Sequence, residues 1–124
     1  MDRYELVRRL VLNSIFDDYE NVDQVILRDV AEDGAKCGLT IERSEIVNAL
    51  SGLIMDGLAK ARLLSGTKPH VTELQGMPQI DVPERYFKPT CTSRRREDLQ
   101  LFDDTWWPFD DESNLKLGLR LDPV

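Results

Sequence analysis

Apolar residues recur at helical spacing through the first part of the chain. Within residues 4–19, Tyr4, Val7, Val11 and Ile15 mark one stripe, flanked by Leu6, Leu10, Leu12, Phe16 and Tyr19. Arg3, Arg8, Arg9 and Asn13 fall largely opposite. So wide an apolar face predicts a helix buried on more than one side. It ends near Asp17, Asp18 and Glu20, where the helix dipole disfavours acidic side chains. A second, shorter helix is predicted from a cap at Asn21 or Asp23 up to Gly34, with Val25, Ile26, Val30 and Ala31 as its apolar face. Residues 34–38 (GAKCG) read as a turn. Thr40 is the expected cap of a third helix, with Glu42 in its first turn. Ile46, Val47, Leu50, Leu53 and Ile54 form its apolar stripe, opposite Ser44, Glu45, Asn48, Ser51 and Gly52, and Asp56-Gly57 stops it.

After Gly57 the period changes to two. Ala59, Ala61 and Leu63 alternate with Lys60, Arg62 and Leu64, the pattern of a half-exposed strand. A polar connection bearing proline and glycine follows to about Glu84, and residues 85–92 (RYFKPTCT) read as a second strand. Pro89 lacks an N–H and restricts that strand to a sheet edge. The expectation is a two-stranded hairpin with an unusually long connection.

The order of helix, helix, turn, helix and hairpin resembles the winged helix-turn-helix superfamily. The stretch TIERSEIVNALSGLIMDGLAKARLL, residues 40–64, carries the likeness most clearly. Its Leu53-Ile54-Met55-Asp56-Gly57-Leu58 is similar to the closing turn of that superfamily's third helix. The expected fold class is therefore α+β and mainly helical: a winged-helix domain over residues 1–92, then an acidic helix/strand extension over residues 93–124. The resemblance implies a small DNA-binding regulator in which the third helix enters the major groove and the wing touches the backbone. On this chain the outward positions are Arg43, Ser44, Asn48 and Ser51, with Lys60, Arg62, Lys68 and His70 along the wing. Asn pairs with adenine, Arg with guanine, and Ser with either base or phosphate. Glu42 and Glu45 share the helix and oppose phosphate contacts. The alternative is an interaction module that meets a protein. A continuous positive face would favour DNA; a face interrupted by Glu42 and Glu45 would favour the protein partner.

Charge adds a division within the chain. The 124 residues carry 16 basic and 23 acidic side chains, a net charge of -7. Residues 1–96 are almost neutral at -1, whereas residues 97–124 hold -6. A near-neutral module with an acidic extension is the reading. Arg94, Arg95 and Arg96 are the densest basic cluster, either a phosphate clamp beside the wing or partners of acids in the same extension. A short helix is expected after them, with Leu99, Phe102 and Trp106 at helical spacing.

Within the extension, Trp106, Trp107 and Phe109 stand among aspartates, and large aromatics of this kind are common at interfaces. Leu115, Leu117, Leu119 and Leu121 alternate with Lys116, Gly118 and Arg120 as in a strand. Together they either pack back on the module or build a homodimer.

Other chemistry finds little support. No nucleophile–base or metal constellation is visible, so an enzyme, a metal and a cofactor are not expected. The only histidine, His70, has no cysteine or histidine nearby in sequence. Cys37 sits beside Lys36, which would lower its pKa, although an inert thiol is the simpler expectation. No apolar run could span a bilayer, and the start MDRYELVRR lacks the features of a secretory signal, so a cytoplasmic location is expected.

Overall fold

The computed structural model describes residues 2–16, 20–65, 70–80 and 85–89. Three α-helices precede a three-stranded antiparallel sheet, an α+β arrangement. α1 spans Arg3–Ser14, and Asp2 caps it by accepting a hydrogen bond from the Glu5 N–H at 2.7 Å. The helix stops earlier than its apolar periodicity predicts. Ile15 and Phe16 continue the pattern and are buried, but on the turn that follows. The hydrophobic repeat thus runs past the helix, although the Ile15 N–H still donates to the Val11 carbonyl at 3.1 Å.

Asn21 starts the next element, accepting hydrogen bonds from the N–H groups of Asp23 and Gln24. Residues Val22–Ile26 form one wide π-type turn, in which the Ile26 N–H reaches back to the Asn21 carbonyl at 3.1 Å. The chain then tightens into α2, Leu27–Ala35. Val30 and Gly34 are its buried positions, in line with Ile26 of the preceding turn, and Ala31, expected on the apolar face, is exposed. The wide turn advances the chain by an extra residue and shifts the buried stripe away from Ala31.

α3 spans Arg43–Met55. Its N-cap is Glu42, not Thr40, and the Glu42 N–H donates to the Glu45 carboxylate at 3.1 Å. The reason lies in Ile41, which is buried at the residue before the cap, like Ile46 in the helix's second turn. The two occupy the positions of a hydrophobic staple, Ile41 packs against Gly34 of α2, and Glu42 is extended, with φ -86° and ψ 152°. Ile46, Ala49, Leu50 and Leu53 are the buried positions of α3, whereas Val47 and Ile54 are half-buried. Gly57, at a φ of 77°, reverses the chain immediately after the helix, where any side chain would be strained.

The sheet has the order β2-β1-β3, with β1 Ala59–Ser65, β2 His70–Leu74 and β3 Arg85–Pro89. β1 is central, pairing Arg62 with Glu73 of β2 and with Tyr86 of β3. The expected two-stranded hairpin is corrected: β2 lies inside what reads as one long polar connection. Val71, Thr72 and Glu73 are all exposed, so β2 shows no alternation of buried and solvent positions. β3 lies at an edge, as Pro89 requires. A bridge between Glu20 and Phe87, with N–H···O distances of 2.9 Å in both directions, ties the α1–α2 connection to the sheet. Ala59, Ala61 and Phe87 point into the core shared with Leu6, Leu10, Ile26, Leu50 and Leu53. No helix among the described residues is long and apolar enough to cross a membrane.

Candidate interaction face on the third helix

The outward side of α3 carries Ser44 and Asn48, both exposed, with half-buried Ser51 and then Met55, which is 83% exposed. These positions fall on one stripe at helical spacing. Beside it runs α1. Arg3, Tyr4 and Val7 of α1 and Glu45 and Asn48 of α3 line an open cleft of about 250 Å³. Tyr4 is 46% exposed there, and Gly52 leaves room for its hydroxyl, which a methyl group at that position would overlap. Arg8 stacks its guanidinium over the same ring, 5.9 Å from the centroid.

The cations around this face are held by carboxylates of the protein itself. Arg43, the helix's one basic residue, donates two hydrogen bonds to Asp23, at 2.8 and 3.1 Å. Arg3 makes a similar fork with Glu45, at 2.9 and 3.2 Å, and its guanidinium also donates to the Thr40 carbonyl. Arg8 meets Asp56 at 2.6 Å. Glu42 is exposed at the head of the helix. The α3 face therefore bears small polar and apolar groups, with acids and bases in balance around it.

Two of the acids respond electrically to these contacts. The Arg43 hydrogen bonds hold the Asp23 carboxyl below its ordinary range. For Glu45, partial burial pushes upward, but the Arg3 hydrogen bonds and the Glu42 N–H outweigh it and the net shift is downward. Lowered folded-state values mean that both groups add stability above the ordinary carboxylate pKa and lose it as pH falls through the lowered values. Both pairs are partly solvated, so the effect is small. Thermal melts from neutral to acidic pH are expected to show a modest deficit for Glu45→Gln at neutral pH that closes on acidification. A deficit of the same size throughout would exclude the ion pair as its source.

The other expected site residues are distributed as follows. Lys60 and Arg62 lie on β1, and both approach Glu73, at 3.5 and 3.9 Å. His70 begins β2, opposite Ser65. Lys68, Arg94, Arg95, Arg96, Trp106, Trp107, Phe109, Leu115, Leu117 and Leu119 lie outside the described residues. The Arg43, Ser44, Asn48, Ser51 group is thus brought together, while Lys60 and Arg62 belong to a separate surface on the sheet. Sequence reasoning missed Tyr4 and Met55 as exposed members of the face, and Asp23 as the partner of Arg43. At Cys37, burial pushes the thiol up, helped by Asp33, and outweighs the lowering by Lys36, in keeping with the simpler expectation of an inert thiol. Among the described residues no group of three or more metal-ligating side chains occurs.

No protein-family model, no curated protein and no solved structure matches the chain.

Proposed function

We propose that this chain is a winged-helix interaction module whose α3 face, with the adjoining α1 cleft, binds a protein segment. The observation that carries this reading is the balance of charge. Arg43, the cation best placed to reach a phosphate, is instead forked onto Asp23, and Glu42, Glu45 and Asp56 line the same helix. Phosphate neutralisation supplies most non-specific DNA affinity, and a face without surplus positive charge supplies little of it. Exposed Tyr4, which lines the open cleft, and exposed Met55 further along α3 suit a protein surface better, since methionine and tyrosine adapt to or anchor protein contacts. A photo-crosslinking residue placed at position 48 or 55 is expected to give a defined protein adduct in the source cells. The same residue at position 32, on the exposed side of α2, is expected to give none. Equal labelling from all three positions would refute the assignment of the face.

A second reading, a DNA-binding regulator, draws support from Ser44 and Asn48, exposed on successive turns and able to pair with base edges. It has its own expected result. Full-length protein would bind mixed-sequence duplex with an affinity that falls steeply with salt, and Asp23→Asn, which removes one negative charge beside Arg43, would strengthen that binding. On the interaction reading, neither the wild type nor Asp23→Asn binds the duplex at low salt.

A further inference from the structure

The two edges of the sheet differ. Along β3 the outward backbone groups are taken: the Phe87 N–H and C=O exchange hydrogen bonds with Glu20, the Arg85 carbonyl accepts from the Asn21 amide, and Pro89 has no N–H. β2 forms the other edge. Because both backbone groups of Phe87 go to Glu20, Ala61 and Phe87 are a non-hydrogen-bonded pair. Antiparallel pairs alternate, so Ala61 and Leu63 turn their backbone groups toward Leu74 and Thr72 of β2. Val71 and Glu73 then aim their N–H and C=O groups away from β1, and among the described residues those groups meet no backbone partner. Nothing in β2 blunts this edge: residues 70–74 (HVTEL) include no proline and no lysine. Thr72 is exposed although it lies on the core side, across from half-buried Leu63, so the helices leave that end of the sheet uncovered.

We propose that the free edge of β2 receives the chain's own residues 115–121 as a fourth, antiparallel strand. Leu115, Leu117, Leu119 and Leu121 alternate with Lys116, Gly118 and Arg120, and a lone period-two run needs a sheet beside it to bury its apolar side. Directly opposed residues share a face of the sheet. With Lys116 opposite Glu73 and Gly118 opposite Val71, a cation meets an exposed carboxylate on the outer face. The same register sets Leu115 opposite half-buried Leu74 and Leu117 opposite Thr72, on the uncovered core side. Chain length permits it. The new strand lies three strand spacings from β3, about 14 Å, and Val71 is about 17 Å along the sheet from Pro89. The 25 residues between Pro89 and Leu115 have a full reach of about 80 Å. Attachment to the same chain makes the pairing intramolecular. The assignment does not depend on which partner α3 meets, because the edge of β2 belongs to a different element.

Amide hydrogen exchange of the full-length chain, read residue by residue and corrected for intrinsic rates, tests the pairing. The Val71 and Glu73 amides are expected to exchange at least about tenfold more slowly than the amide of exposed Gln79, which lies outside the strands. Lys116 and Gly118 should share that protection, whereas Leu117, its N–H turned away from β2, should not. Leu115→Lys with Leu117→Lys is expected to return Val71 and Glu73 to the Gln79 rate and to leave Thr72, bonded to β1, protected. A second variant acts from the edge. Val71→Pro removes an outward N–H that β1 does not use, and should release Lys116 and Gly118 with Thr72 again protected. The proposal fails if Val71 and Glu73 exchange as fast as Gln79 in the wild type, or if Leu117 is as protected as Gly118. It also fails if neither variant has its effect while Thr72 stays protected. Sedimentation identifies the occupant: a monomer with a protected edge supports the proposal, and protection lost on dilution of a dimer overturns it in favour of a second copy.

Discussion

Phe87→Ala is expected to lower unfolding stability by about 3–5 kcal/mol, among the largest single losses available in this fold. Phe87 is the largest of the fully buried side chains, at 0% exposure, and it sits on a strand of only five residues. Its neighbour across β1 is Ala61, and Ala59 lies on the same inner face. Two alanines cannot move inward to fill the space left by a phenyl ring, so the cavity term adds to the lost transfer energy. The same residue bridges to Glu20 through two backbone hydrogen bonds, so loosening β3 also loosens the connection between α1 and α2. Domains of this size have about 5–15 kcal/mol in total, and the variant is therefore expected to be close to unfolding at physiological temperature. Urea titration checks this: the midpoint falls while the slope is retained. Val71→Ala, exposed on β2, should stay within about 0.5 kcal/mol of wild type. A loss below about 1 kcal/mol for Phe87→Ala would mean that β3 does not close the core.

How far such features are legible in the sequence depends on the range of the interaction behind them. The three helices and β1 are local consequences of periodicity and punctuation. The repeat of Leu6, Leu10 and Val11, or of Ile46, Leu50 and Leu53, needs no tertiary knowledge, and Asp56-Gly57 stops α3 where a positive φ is required. The edge position of β3 follows from Pro89 alone. β2 was not legible, because a short strand exposed along most of its length lacks the alternation that marks one. The π-type turn and the shift of the cap from Thr40 to Glu42 arise from burying Val22, Ile26 and Ile41, and burial is decided by packing.

The candidate face divides in the same way. Its outward small polar residues could be read from helical spacing, since Ser44, Asn48 and Ser51 fall opposite the apolar stripe. Its electrostatics could not. Arg43 finds Asp23 20 positions earlier, Arg3 finds Glu45 42 positions later, and Arg8 finds Asp56 48 positions later. Pairs of that separation exist only once α1, the π-type turn and α3 have packed, so counting cations on one helix overstates its positive charge.

Asn21→Ala is expected to cost about 2–4 kcal/mol, from the loss of a cap and of a buried backbone partner together. Among the described residues Asn21 is the buried polar one, 6% exposed, and three hydrogen bonds of its side chain join two elements. Its carbonyl oxygen accepts from the N–H groups of Asp23 and Gln24, at 3.0 and 3.3 Å, which would otherwise be orphans of the helix start. Its amide nitrogen donates to the Arg85 carbonyl at 3.1 Å, 64 residues away on β3. Helix initiation and sheet attachment therefore share one group. Alanine removes both functions and leaves the Arg85 carbonyl without its donor, whereas Asn21→Ser keeps a cap acceptor but is too short to reach β3. The serine variant is accordingly expected to recover only about 1 kcal/mol of the loss. Native-state hydrogen exchange distinguishes the two contributions: in both variants the Phe87 and Glu20 amides should exchange faster, and only in the alanine variant should Asp23 and Gln24 do so. If Asn21→Ser is as stable as wild type, the tie to β3 contributes nothing and Asn21 is a cap alone.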